Sequence, residues 1–246
     1  MFYFEIFLIS TVLSAFFALG GVGSATALIP VMHWMGIDFN FAKAIGLFVN
    51  TSTTITATIM NIKRKVLDIK FALPLAISLA AFAPFGALYS KQIPVHEVKW
   101  LFAIFLLFSG SMILFGKKEK KFEFTNQWIM VIIGSIVGFI SGLLGIGGGA
   151  LLMPVLILLG FNAKKLAVIM SFVIPFSTFA AFLTYMSFVK FDWIILGVAA
   201  LGAIIGGYIG NYFMHFKLNH HHIKKIIGIL MYIIATKMIW SLVWEH

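Results

Sequence analysis

Cysteine is absent from the 246-residue chain, and charged side chains make up only 11% of it. The lack of cysteine excludes disulfides and thiolate metal sites. Soluble domains carry about 25% charged residues, so an ordinary soluble globule is not the expected class. The sequence also lacks a Walker A loop, an HExxH motif and a Ser-His-Asp arrangement at helical spacing. We therefore expect no enzyme, no metal site and no cofactor.

Hydrophobic residues are abundant instead, at 61% of the chain against about 45–50% in soluble domains. A bilayer can cover this much apolar surface, whereas a protein core of this size cannot. A net charge of +10 is also typical of nucleic-acid-binding proteins. Here most lysines fall between apolar runs, as the positive-inside rule describes. We expect an all-α polytopic membrane protein whose partner is the lipid bilayer and not a nucleic acid.

Two of the eight apolar runs are too long for one membrane span. Six runs have about the 20 residues that a single crossing needs. The runs at 3–36 and 126–160 are each about 35 residues long and are interrupted by glycines. The interruptions are Gly20-Gly21-Val22-Gly23-Ser24 and Gly145-Ile146-Gly147-Gly148-Gly149. Helices broken at these glycine-rich turns are therefore predicted.

The two halves of the chain match at an offset of 124 residues. Gly21-Val22-Gly23 falls on Gly145-Ile146-Gly147, and Pro30 falls on Pro154. The same register pairs Asp68 with Asp192, Gly86 with Gly210 and His96 with His220. Chance matches among apolar residues do not align Gly, Pro, Asp and His over some 75 residues. The pattern predicts two membrane repeats, residues 1–122 and 123–246, of about five membrane segments each.

The distribution of lysine and arginine predicts how the repeats are oriented. If each long run crosses once, the 18 basic residues divide 10 to 8 between the two sides of the membrane, which is almost no bias. If each turns back at its glycines, as two spans or a re-entrant hairpin, they divide 13 to 5. We adopt the second division. Each half then crosses an odd number of times, so the repeats are inverted, both termini lie outside and Lys117–Lys121 is cytoplasmic.

The first candidate site is the pair of glycine breaks, where a helix that restarts directs free N–H groups at the break. Such an end binds anions without a charged side chain. The alternative is that the glycines only allow close helix packing. The residues proposed to bind substrate here are Gly21, Gly23, Ser24, Gly147, Gly148 and Gly149.

The second candidate is a pair of hydroxyl-rich helix faces. Lipid offers these polar groups no partner, so they line a path for an oxyanion or bond to neighbouring helices or to their own backbone. Pro175 is expected to break or kink its helix and free a carbonyl. The proposed substrate-binding residues are Asn50, Thr51, Ser52, Thr54, Ser171, Pro175, Ser177 and Thr178.

Two further patterns favour structural roles. Gly202, Gly206 and Gly210 form a small-residue stripe, which is typical of close helix packing. Asp68 and Asp192 lie at membrane edges, where we expect each to cap the helix that follows.

The glycine pattern resembles the sulfite exporter TauE/SafE (TSUP) family of transporters over nearly the whole chain. The residues that carry the resemblance are Gly145-Ile146-Gly147-Gly148-Gly149, Pro154, Gly160, Asp192-Trp193 and Gly206-Gly207-Tyr208-Ile209-Gly210, with a weaker version in Gly21-Val22-Gly23, Pro30, Gly36, Asp68 and Gly86. Ser24 and Ala25 stand where the fuller pattern has glycines. The resemblance implies transport of a small anion, often a sulfur-containing one such as sulfite, thiosulfate, sulfoacetate or another organosulfonate.

The leading hypothesis is a secondary transporter of a small anion that works by alternating access between the two halves, in a bacterial inner or plasma membrane. An anion channel shares the same sequence features, and a non-transporting membrane scaffold is the third interpretation. The sequence leaves the oligomeric state open, with a homodimer among the alternatives.

Overall fold

The computed structural model describes residues 1–20, 23–67, 69–115, 127–159, 161, 163–214 and 220–244. Within these residues it contains ten α-helices and no strand, which confirms the all-α class. The helices are α1 (Phe2–Gly20), α2 (Ala25–Trp34), α3 (Phe39–Lys63), α4 (Ile69–Ser90), α5 (Val95–Phe115), α6 (Gln127–Leu144), α7 (Gly149–Leu158), α8 (Ala163–Met186), α9 (Trp193–Met214) and α10 (His220–Trp244).

The outside of the helix bundle is apolar and its inside is partly polar. Among the described helices, α1, α4, α5, α8, α9 and α10 are long and apolar enough to cross a membrane. Large apolar side chains point away from the bundle, whereas serine, threonine and asparagine side chains are buried. This distribution suits lipid as the surrounding solvent, because lipid cannot satisfy polar groups. The chain is therefore a multi-pass membrane protein, as predicted.

Both overlong apolar runs are broken at their glycines. The first divides into α1 and the short α2, and the second into α6 and the short α7. Ten residues of helix span about 15 Å, half of the hydrocarbon core. α2 turns back along α3, with Gly23 beside Asn50 and Ile29 beside Gly46. The predicted breaks are confirmed, and the returning segment is a short helix rather than a second full span.

Helix bounds in the two halves differ by the offset read from the sequence. α2 and α7 differ by 124 residues at both ends, and so do α4 and α9. The packing also repeats between the halves. α1 lies along α9, and their counterparts α6 and α4 likewise lie along each other. The predicted boundary between residues 122 and 123 falls outside the described residues.

Small residues allow α9 to approach α1 closely, as the sequence predicts. A Cβ built on Gly206 lies 2.1 Å from the backbone oxygen of Thr11, and one on Gly210 lies 2.3 Å from that of Ala15. Contacts this short leave no room for a side chain. The stripe of Gly202, Gly206 and Gly210 is therefore a packing surface.

Aspartates begin two of the long helices. Asp192 accepts hydrogen bonds from the backbone N–H groups of Ile194 and Ile195 at 2.9 and 3.2 Å, which confirms that it caps α9. Asp38 caps α3 by accepting from two backbone N–H groups at 3.0 Å. Asp68, the other predicted cap, lies outside the described residues.

Candidate functional site

The two glycine breaks meet where α3 crosses α8 near the middle of both helices. The crossing is marked by a 2.7 Å hydrogen bond between the hydroxyls of Thr51 and Thr178. A Cβ built on Gly149 lies 3.8 Å from the backbone nitrogen of Gly23. The structure therefore brings the start of α2 and the start of α7 together at this crossing.

The side chain of Asn50 lies between the two breaks. A Cβ built on Gly23 falls 2.4 Å from Asn50 Nδ2, and one built on Gly147 falls 2.6 Å from the same atom. Asn50 is fully buried, and its Nδ2 donates to the backbone oxygen of Ile146 at 3.3 Å. Its Oδ1 has no hydrogen-bond partner among the described protein groups. One amide thus contacts both halves of the chain and retains a free acceptor.

Glycine is required at the second break for conformational reasons as well as for space. Gly145 and Gly147 both have a φ of +73°, a left-handed backbone that costs other residues about 1–2 kcal/mol. Gly23, the counterpart of Gly147, is not left-handed. At Gly23 the constraint is therefore the close approach of the Asn50 amide.

A small cavity begins at Gly23 and Asn50 and extends toward Asn61, in the last turn of α3, and leaves about 30 Å³ for water-sized groups. One water needs about 10–15 Å³ measured in this way, so the cavity holds about two waters as it stands and must widen to hold a larger anion. No charged side chain lines it among the described residues. The lining consists of Phe17, Ala18, Gly23, Ser24, Asn50, Thr53, Thr54, Ala57, Asn61, Ala167, Ser171, Ile174 and Asn211.

Asn211 of α9 is a lining residue that sequence reasoning missed. It is 1% exposed, and neither its Nδ2 nor its Oδ1 has a hydrogen-bond partner among the described protein groups. A buried amide without partners costs free energy, so its cavity position suggests that it bonds to something the cavity receives. The available signal was a single amide in an otherwise apolar, glycine-rich span.

The start of α2 forms the inner end of the cavity. Ser24 is its N-cap residue but makes no capping hydrogen bond through its side chain, and its Oγ accepts a 3.4 Å hydrogen bond from Ser14. The N–H groups of Thr26 and Ala27 already donate to the backbone oxygens of Gly23 and Ser24, at 3.5 and 3.2 Å. The start of α2 still carries the positive end of the helix dipole, which favours negative charge at this end of the cavity without a charged side chain.

Only part of the predicted set lines the cavity, namely Gly23, Ser24, Asn50, Thr54 and Ser171. Four other predicted residues lie at the crossing of α3 and α8, just beyond the cavity: Gly147, Gly149, Thr51 and Thr178. Gly21 lies outside the described residues. The predicted residues that do not line the cavity are Thr51, Ser52, Gly147, Gly148, Gly149, Pro175, Ser177 and Thr178.

Two hydroxyls outside the cavity bond to their own helices, as those of the lining residues Thr54 and Ser171 also do. Ser52 Oγ donates to the backbone oxygen of Phe48, 3.0 Å away in the same helix, and Ser177 Oγ donates to that of Ile174 at 3.0 Å. A hydroxyl bonded to its own helix needs no other partner. These two residues are satisfied within their helices.

Pro175 frees a carbonyl, as predicted, without interrupting α8. The helix continues from Ala163 to Met186, while proline lacks the N–H that would bond four residues back. The carbonyl left without this bond belongs to Ser171, and Thr58 Oγ1 donates to it at 2.5 Å. The freed group thus joins α8 to α3.

Lys43 departs from the expectation that the lysines lie in loops. It belongs to α3, is fully buried, and its Nζ donates to Ser90 Oγ at 2.7 Å. The sequence places Lys43 only three residues after the polar break Asp38–Asn40, and this position made a loop plausible. In the structure Asp38 caps α3 and the helix begins at Phe39.

Broken helices that meet at mid-span beside a polar cavity define a polytopic membrane transporter. A family model described as "Sulfite exporter TauE/SafE" matches residues 6–238. The chain belongs to the sulfite exporter TauE/SafE family.

Curated relatives are similar in length and bear transporter names. The chain is 25% identical over 250 residues to "Probable membrane transporter protein YunE" of Bacillus subtilis (strain 168), which covers 90% of this chain and 91% of that protein. It is 27% identical over 179 residues to "Probable membrane transporter protein MJ0441" of Methanocaldococcus jannaschii, which covers 69% and 67%. A Sinorhizobium relative, "Probable membrane transporter protein ORF9", is 26% identical over 229 residues, which covers 89% and 85%.

Proposed function

We propose that this transporter carries a small, sulfur-containing anion, such as sulfite, thiosulfate, sulfoacetate or another organosulfonate, by alternating access. The observation that carries the proposal is the charge-free cavity between Gly23 and Asn61, with the start of α2 at its inner end. A helix start favours an anion over a cation. Among the described lining residues no carboxylate opposes it.

Unpartnered amide groups give the cavity both donors and acceptors. Asn211 Nδ2 has hydrogens to donate to an oxyanion, while Asn50 Oδ1 and Asn211 Oδ1 accept. An oxyanion that is protonated, or that enters with water, supplies hydrogens for these acceptors. This combination suits a small polar anion better than an apolar solute.

We further propose that residues 1–122 and 123–246 are inverted repeats. Contacts between α1 and α9 pair Gly202 with Phe7 and Gly210 with Ala15, so these two helices run in the same direction. The rings of Phe48 and Phe182 are 4.8 Å apart, and with the Thr51–Thr178 bond they make α3 and α8 antiparallel.

Consecutive spanning helices joined by short links run in opposite directions. α9 follows α8 and therefore runs in the direction of α3, and α1 shares that direction. α4 follows α3 and therefore runs in the opposite direction. Contacts of Gly134 with Ser78 and of Gly142 with Ala83 give α6 the direction of α4. α1 and α6, which begin the two halves, therefore run oppositely, which supports inversion. We call the face where α3 ends, at Lys63, the basic face, and the face where α3 starts the opposite face.

In this proposal the basic face is cytoplasmic, both termini are extracellular, and the protein resides in a bacterial inner or plasma membrane. The cavity extends toward the basic face, so the conformation described here is inward-facing. We further propose that one chain is the transporting unit, so that a homodimer would place two such units side by side. No catalytic role is proposed.

A thermal-shift panel tests the substrate class. A ligand that binds only the folded protein stabilises it by about 2.7 kcal/mol at a hundred times its dissociation constant. We expect sulfite, thiosulfate or a short sulfonate to raise the melting temperature of purified protein, and chloride at the same ionic strength to leave it unchanged. The same shift in Asn211→Leu would mean that the ligand binds elsewhere. A scaffold predicts no shift with any of these anions.

A further inference from the structure

The repeat offset relates the cavity to a second set of residues on the opposite side of the crossing. Asn61 and Ala167 line the cavity toward the basic face. Their counterparts at an offset of 124 residues are Tyr185 and Lys43. Both counterparts are fully buried. If the halves exchange roles during transport, these two residues take the places that Asn61 and Ala167 hold now.

Lys43 fills the space that a second cavity would need. A Cβ built on Gly145 lies 2.6–2.8 Å from three aliphatic carbons of Lys43, so the lysine side chain lies against the second glycine break. Its Nζ donates to Ser90 Oγ at 2.7 Å. Tyr185 Oη donates to the backbone oxygen of Gly142 at 3.2 Å, which joins α8 to the end of α6. The two side chains thus seal this half of the crossing.

The contacts of the Lys43 ammonium are few and uncharged. Besides Ser90, Nζ lies 5.2 Å from the ring centroid of Phe39 and 5.3 Å from that of Tyr185. Nζ forms no ion pair among the described residues, and Asp38, whose carboxylate caps α3, acts on Lys43 electrostatically without contact. A buried ammonium is costly without a counter-ion in contact, and ionisable residues inside membranes usually serve function. An arriving anion would supply that contact.

We propose that Lys43 is an anion-binding residue of a second cavity, the repeat counterpart of the first, which Lys43 and Tyr185 close in the conformation described here. The proposal rests on the alternating-access function proposed above. When the second cavity opens to the opposite face, Lys43 lines it where Ala167 lines the first. Three N–H donors on Nζ and the hydroxyl of Ser90 then face a small oxyanion, such as a sulfonate head group.

Cysteine labelling tests this arrangement, because the chain has no cysteine of its own. Ala57 lines the first cavity, and Ala181 is its counterpart at the offset of 124 residues. Ala57→Cys therefore places a thiol in the first cavity, and Ala181→Cys places one in the proposed second cavity. Each variant is treated with impermeant anionic or cationic methanethiosulfonate reagents, applied separately to the two faces in oriented membrane vesicles. The measured quantity is the ratio of the anionic to the cationic labelling rate.

We expect Ala181→Cys to be labelled from the opposite face, faster by the anionic reagent. Lys43→Met should lower the rate ratio about tenfold or more, because one charge acts on both reagents at close range, and Lys43→Arg should preserve it. The matched control is Lys63→Met, which removes an exposed lysine on the basic face, away from the second set, and leaves the ratio unchanged. Lys43→Met should also leave the ratio unchanged at Ala57→Cys.

Two results would overturn the proposal. One is an Ala181→Cys thiol that stays unlabelled from the opposite face while the protein still transports. The other is a rate ratio that Lys43→Met does not change. If Lys43→Met does not give folded protein, Lys43→Gln takes its place. Both results leave saturable anion flux in the unsubstituted protein intact, whereas failure of the proposed function removes that flux.

Discussion

Replacement of Gly23 by alanine perturbs the centre of the site through one contact. The three atoms nearest to the added Cβ all belong to the Asn50 amide, at 2.4, 2.8 and 2.9 Å. Gly23 is not in the left-handed region, so alanine brings no backbone strain. The amide must move about 1 Å to reach ordinary van der Waals separation. Gly23→Ala therefore displaces Asn50 from between the two glycine breaks.

The size of the effect follows from the bond that the amide makes. A hydrogen bond to a charged group contributes about 1.5–3 kcal/mol, which corresponds to about 10- to 150-fold in affinity. We expect Gly23→Ala and Asn50→Ala each to raise KM for the anion within this range. The double variant should show no further increase in KM, because Asn50→Ala has already removed the amide that an alanine at position 23 would displace.

The assay is uptake of a radiolabelled sulfonate or thiosulfate into proteoliposomes, with KM measured for both single variants, the double variant and the unsubstituted protein. Gly197→Ala is the matched control, because a Cβ built on Gly197 meets nothing within 4 Å. Size-exclusion profiles and melting temperatures establish that all variants fold. If the two effects multiply in the double variant, or if Gly23→Ala transports normally, Asn50 is not the group through which Gly23 acts.

Four further outcomes are expected. Gly147→Ala should lower transport more than Gly23→Ala does, because a φ of +73° adds about 1–2 kcal/mol of backbone strain; equal rates in uptake assays would contradict this. Asn211→Leu should lower anion affinity yet raise the melting temperature, since it removes unpartnered amide atoms; a lower melting temperature would show that the amide is structural. Gly206→Leu should destabilise the fold by about 1–3 kcal/mol, measured as a lower melting temperature, because its Cβ meets the α1 backbone at 2.1 Å. A reporter fused at the C-terminus should be extracellular, and cytoplasmic activity would contradict the topology.

The broken helices were predictable because their cause is local. Glycine runs inside apolar segments interrupt helices wherever they occur, and the repeat offset showed that two such breaks correspond. The structure accordingly begins α2 at Ala25 and α7 at Gly149. Asp192 was likewise identified as a cap from its position at the edge of an apolar run. Features fixed by a few neighbouring residues were therefore accessible from the sequence.

The residues that line the cavity were less predictable, because lining depends on partners distant in the chain. Asn50 and Ser52 belong to one hydroxyl-rich segment, yet Asn50 meets the second glycine break and Ser52 bonds to its own helix. Asn211 and Lys43 carried no local pattern, and each is conspicuous only through its burial. The repeat also suggested equal contributions from both halves, whereas one side of the crossing holds a cavity and the other holds Lys43.

Counterflow in proteoliposomes tests the central claim most directly. Vesicles loaded with unlabelled sulfite, thiosulfate or sulfoacetate are diluted into a trace of the same labelled anion, and the uptake of label is followed over time. An alternating-access transporter gives saturable uptake that the internal anion accelerates, and Gly147→Val abolishes it while the protein still inserts. A steady single-channel current with flux that does not saturate, or transport unchanged in Gly147→Val, would contradict the claim.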